Sequence, residues 1–97
     1  MFKVKLGEEV DIELVEWSKQ PSMKSIVKAI TKALNYMGTN IRHPSLNTHE
    51  YDELNGPNGE KVFESYAQNN TPGAYRIFWY YGPGKKEITV IAISPHP

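Results

Sequence analysis

The sequence predicts an α+β domain: a small, mainly antiparallel β-sheet with one long helix, and room for a second short one, packed on one face. Three observations carry this. Residues Met23 to Met37 repeat apolar side chains at helical spacing, and three β-rich runs close the chain, joined by turns short enough for antiparallel neighbours. The length, 97 residues, suits one domain over 1–97 built on a single core.

Taken in order, Phe2, Val4 and Leu6 alternate with Lys3 and Lys5, and Val10, Ile12 and Leu14 alternate with Asp11 and Glu13. This period of two predicts a hairpin about Gly7-Glu8-Glu9, or one long edge strand with a bulge there. Met23, Ile26, Val27, Ile30, Leu34 and Met37 then mark one face of a helix. Ser18 or Ser22 is placed to cap its start, Pro21 is tolerated in its first turn, and Gly38 follows where a left-handed C-terminal cap is expected. Residues 39–60 are rich in Asn, Gly, Pro, Thr and His, which predicts an ordered loop anchored by Leu46, Tyr51 and Leu54, with one short helical turn around 49–54. Runs 61–67, 74–81 and 87–94 then form a three-stranded meander. In the middle run Tyr75, Ile77, Trp79 and Tyr81 share one face and Arg76, Phe78 and Tyr80 the other; the helix is expected to cover the first.

The composition is that of a soluble globular protein. With no cysteine, disulfides, thiolate metal sites and thiol nucleophiles are excluded. His43, His49 and His96 are scattered, so no metal or other cofactor is expected. No apolar run approaches the roughly 20 residues a bilayer requires, and no signal-peptide core follows Met1, which predicts a cytoplasmic protein without membrane contact. Formal net charge is zero, but its distribution is uneven. Residues 1–16 set Lys3 and Lys5 against Glu8, Glu9, Asp11, Glu13 and Glu16, whereas 17–43 carry Lys19, Lys24, Lys28, Lys32 and Arg42 and no acid. Lys24, Lys28 and Lys32 recur at i+4 opposite the apolar stripe. They form either a solvated face or a positive stripe that meets a polyanion.

Arg76 lies mid-strand among aromatics in Ala74-Tyr75-Arg76-Ile77-Phe78-Trp79. A guanidinium buried there costs several kcal/mol unless an acid such as Glu64 pairs with it, or unless it opens onto a site. His96, at the end of the last run, comes near the middle strand in an antiparallel arrangement. An Arg to hold a phosphate in a bidentate fork and a His to exchange a proton near neutral pH suit phosphodiester chemistry. Tyr66 and Tyr80 are the rings expected near Arg76 for stacking, and Lys61, Lys85 and Lys86 are the nearest candidate cations for RNA.

The element order, the turn Leu54-Asn55-Gly56, the strand Gly73-Ala74-Tyr75-Arg76-Ile77-Phe78-Trp79 and a final strand ending in His96 together resemble the RelE/ParE superfamily of bacterial toxins, over roughly residues 10–97. The resemblance implies a metal-independent endoribonuclease that cleaves mRNA, often on the ribosome, by attack of a ribose 2′-hydroxyl on the adjacent phosphate, and a cognate antitoxin as partner. Position by position it implies Arg76 as the phosphate-binding arginine and His96 as acid or base. Glu50 falls where the loop base of some members occurs, with Glu53 and His49 competing for that place, and Glu64 is the fallback base or the partner of Arg76. Two alternatives stay open on the same fold: a catalytically inactive binding module or mobile-element accessory protein acting through protein contacts, and a gyrase-directed toxin that does not need His96.

Overall fold

The computed structural model describes residues 1–69 and 71–96. Strand β1 (Lys3–Leu6) leads into helix α1 (Glu8–Ser18), a 3-10 turn (Pro21–Met23), helix α2 (Lys24–Thr39) and a second 3-10 turn (Pro44–Leu46). Strands β2 (His49–Asn55), β3 (Lys61–Tyr66), β4 (Tyr75–Tyr81) and β5 (Glu87–Pro95) complete a five-stranded sheet in the order β1-β5-β4-β3-β2. β1 runs parallel to β5 and every other pair is antiparallel. The sheet is mixed and mostly antiparallel, with two helices, the long α2 and the shorter α1.

The second helix replaces the expected N-terminal hairpin. Val10, Leu14 and Trp17 lie at i, i+4 and i+7, so the spacing that reads as strand alternation also fits a helix face. Gly7 is the N-cap, and Glu8, Glu9 and Asp11 occupy the first turn, where carboxylates meet the positive end of the helix dipole. Val10 is buried, whereas Ile12 and Val15 point outward. The Gly7 N–H donates to the Val90 carbonyl at 2.9 Å, so the chain turns directly from the β1–β5 pairing into the helix.

α2 is the predicted long helix, and Ile30, Ala33 and Met37 form its buried stripe. Its ends differ from expectation. Met23 occupies the N-cap without a side-chain cap, while Ser18 Oγ donates to the Val15 carbonyl near the end of α1. Gly38 lies inside the helix and Asn40 is its C-cap. Gly38 serves close approach instead: its carbonyl accepts the Phe2 N–H at 2.9 Å, and a Cβ there would stand 3.4 Å from the Phe2 carbonyl oxygen.

Residues 49–55 are an edge strand and not a loop with a helical turn. The strand is polar and mostly exposed, so it lacks the apolar signature of a buried strand, and its charges discourage pairing with another chain. It pairs with β3 through His49–Glu64 and Glu50–Phe63, then shifts register before Asn55–Lys61.

β4 is the central strand in composition and burial. Ile77 and Trp79 enter the core with Val10, Ile30, Met37, Leu46, Ile88, Val90 and Ile93. The Trp79 indole N–H donates to Ser65 Oγ at 2.8 Å, and the Ser65 hydroxyl also bonds Thr48 Oγ1 at 2.7 Å. In β5 one extra residue, Ile91, stands between the Phe78–Ala92 and Trp79–Val90 pairs, a β-bulge.

Ser65→Ala removes the side-chain acceptor of the buried indole N–H. It is expected to cost about 1–3 kcal/mol and to lower Tm by roughly 4–8 °C for each kcal/mol in thermal unfolding followed by circular dichroism. An unchanged Tm would show that this bond does not hold Trp79.

Candidate active site

On the face of the sheet away from the helices, alternation along four strands brings polar side chains together. β3 contributes Glu64 and Tyr66, β4 contributes Arg76 and Phe78, β2 contributes His49, Tyr51 and Glu53, and the end of β5 contributes Ser94. The His96 N–H donates to the Ala74 carbonyl at 2.8 Å, which extends the β4–β5 pairing by one step and carries His96 to the same place. Tyr51, Glu53, Glu64, Arg76, Ser94 and His96 line a cavity of about 290 Å³, at the small end of ligand sites.

Glu64 is the centre of this group and is 7% exposed. Its Oε1 lies 2.6 Å from His49 Nε2, and its Oε2 lies 3.9 Å from Arg76 Nε. The other ring nitrogen of His49, Nδ1, is 3.1 Å from the Asn47 carbonyl. A carbonyl only accepts, so in this contact Nδ1 is the donor, and Nε2 faces the Glu64 carboxyl group.

Arg76 is fixed from several sides. Its guanidinium carbon stands 3.6 Å from the centre of the Tyr66 ring, and Nη1 donates to the Ala74 carbonyl at 3.4 Å. Nε is buried with no hydrogen-bond partner, a donor held close to the cavity. The Tyr51 ring packs at 4.8 Å on Phe78, and its hydroxyl donates to Glu53 Oε2 at 2.7 Å. That bond, then desolvation and the negative charges of Glu53 and Glu64, push the Tyr51 phenol above its ordinary value. Tyr51 therefore keeps its proton at neutral pH, and that proton is engaged by Glu53.

Arg76, Glu64 and His96 all line the cavity, and Tyr66 lies beneath Arg76. Glu50 and Lys61 are placed elsewhere. Glu50 is opposite Phe63, whose ring stacks on Trp79 on the helix side, and its carboxylate pairs with Lys61 Nζ at 3.1 Å. Tyr80 is on the same face as Arg76 but is buried further along β4. Lys85 and Lys86 precede β5, whereas His96 follows it, and Lys86 Nζ stands 5.7 Å from the Phe2 ring. His49 is the neighbour of Glu64 that residue-by-residue reading leaves as a mere competitor of Glu50. Treating 49–55 as a strand would have put His49, Tyr51 and Glu53 on one face.

Among the described residues, no three His, Asp or Glu side chains are placed to hold a metal ion, and no helix is long and apolar enough to cross a membrane. No family model, curated protein or solved structure matches this chain.

Replacing Glu53 with Ala removes the largest influence on the Tyr51 hydroxyl. The Tyr51 ionisation followed by NMR is expected to move down toward the ordinary tyrosine value; an unmoved titration would show that the bond to Glu53 does not govern it.

Proposed function

We propose that this protein is a metal-independent endoribonuclease that cleaves mRNA by attack of the ribose 2′-hydroxyl on the adjacent phosphate, the toxin half of a toxin–antitoxin pair. One observation carries the reading: Glu64, bonded on its other side by His49, adjoins the Arg76 guanidinium in a cavity that His96 also lines.

The reaction needs a base, a cation and an acid. His96 takes the proton of the 2′-hydroxyl, and the 2′-oxygen bonds to phosphorus. Arg76, kept in place by Tyr66, bonds the phosphate oxygens as charge builds on them. The bond from phosphorus to the 5′-oxygen then breaks, and the His49–Glu64 pair protonates that oxygen. The products are a 2′,3′-cyclic phosphate and a 5′-hydroxyl. Tyr51, held protonated by Glu53, presents a neutral hydroxyl oxygen at the edge of the cavity.

A second reading, a binding module without activity, is favoured by the zero net charge and by the placement of Lys61, Lys85 and Lys86 away from the cavity. Induced expression in a bacterial host separates the two. The parent is expected to arrest growth and to create new mRNA 5′ ends detected by primer extension. Arg76→Ala is expected to lose at least about 100-fold in cleavage rate, the scale of one lost transition-state donor. His49→Ala and His96→Ala are each expected to lose about 100-fold or more. Undiminished arrest by Arg76→Ala would overturn the site. Arrest without new ends would favour a gyrase target, and a folded parent that causes no arrest would favour the binding module.

A further inference from the structure

The positive segment of the chain is not used by the cavity chemistry. From Trp17 to His49 there is no Asp or Glu, and Lys24, Lys28 and Lys32 are exposed along α2 at i+4 spacing. The next position on that row is Tyr36. Lys32 Nζ stands 5.9 Å from the centre of its ring, and the His43 ring stacks on Tyr36 with centroids 3.7 Å apart and planes 10° from parallel. A row of cations thus leads into an aromatic pair.

The pair stands between two cavities. One, of about 210 Å³, is lined by Lys32, Tyr36, Ser45, Tyr66 and Asn69; the other, of about 270 Å³, by Arg42, His43, Asn47, Phe63 and Tyr81. The segment between is tied down. The Ser45 N–H donates to His43 Nδ1 at 3.2 Å, Asn69 Nδ2 donates to the Ser45 carbonyl at 3.0 Å, and Asn47 Nδ2 donates to Asn69 Oδ1 at 2.7 Å. The His43 ring is thus bonded by Ser45 as well as stacked on Tyr36. Tyr66, which lines the first cavity, also carries the Arg76 guanidinium. From His43 to His49 the chain spans six residues, a reach of at most about 20 Å.

We propose that α2 and the segment after it form a second binding surface for single-stranded RNA, outside the cleavage cavity. Lys28, Lys32 and Arg42 hold the phosphates, and the Tyr36–His43 pair is a platform on which a base stacks. Cations beside aromatic faces suit single strands because every base offers a π-face and every nucleotide a phosphate. Duplex DNA, whose bases are already stacked, would use the lysines and not the platform. The inference takes its class of ligand from the RNA reading of the Arg76 cavity, but it does not depend on cleavage.

Fluorescence anisotropy with the full chain and a 2′-O-methyl RNA oligonucleotide of about 12 nucleotides, a length within single-strand site sizes, reads binding without any nucleophile for cleavage. With Lys28→Ala and Lys32→Ala combined, the slope of log affinity against log salt is expected to fall by about 1.4, at roughly 0.7 per phosphate contact on a single strand. Tyr36→Leu is expected to weaken binding about fivefold or more, and Tyr36→Phe to restore it. Lys19→Ala, a control that removes one positive charge outside the row, is expected to leave the slope unchanged. No binding by the parent, an unchanged slope in the double variant, or an equal drop per charge in Lys19→Ala would each overturn the proposal. A parent that binds this oligonucleotide through Lys28 and Lys32 yet cuts no RNA would leave the surface standing and remove the nuclease reading.

Discussion

A guanidinium in the middle of a sheet must be answered by a carboxylate, and the contact between Arg76 and Glu64 is the constraint on which the open face of this protein depends. Arg76 is opposite Tyr66 and Glu64 is opposite Phe78, so the two charges meet diagonally across β3 and β4. Diagonal neighbours on one face are within reach of long side chains. A slip of one residue in that pairing would turn Glu64 toward the helices and leave the arginine unanswered. Glu64 then reaches the other way, to His49, and anchors the polar edge strand, which has little apolar surface of its own to hold it in place. One carboxylate thereby organises β2, β3 and β4.

The other half of the molecule is ordered by burial. Trp79 is fully buried beneath α2, with Phe63 stacked at 4.9 Å and its indole N–H satisfied by Ser65. Because side chains alternate along β4, Trp79 and Ile77 bind the sheet to its helices while Arg76 and Phe78 present the opposite face. β1 closes the architecture by pairing parallel to β5, a pairing that needs a long crossover, here supplied by both helices and the strands that follow.

Much of this was legible in the residues. The α2 stripe, the three C-terminal strands and the core face of β4 follow from apolar periodicity, and Glu64 was a foreseeable partner for a mid-strand arginine. The N-terminal helix was not legible, because Val10 and Leu14 satisfy period two and i+4 together and only the acids after Gly7 favour the helix. β2 was hidden for the opposite reason: an exposed edge strand of His, Glu, Tyr and Asp has no apolar pattern to read. With β2 hidden, the short contact from His49 to Glu64 is out of sight too, since it exists only through strand pairing, and nothing in the residues alone ranks His49 above Glu50.

That one-position sensitivity has a counterpart in β5. Ile88 and Val90 point into the core, and strict alternation from them would send Ser94 and His96 to the same side, beneath the helices. The extra residue at Ile91 reverses the parity: Ile93 takes the core position opposite Ile77, and Ser94 lies opposite Arg76. A histidine at the end of the chain thus reaches the open cavity only because the strand before it is one residue too long for its partner. Insertion or deletion of a single residue in this strand, with every side chain of the cavity left intact, would act as a toggle on which face of the sheet His96 belongs to.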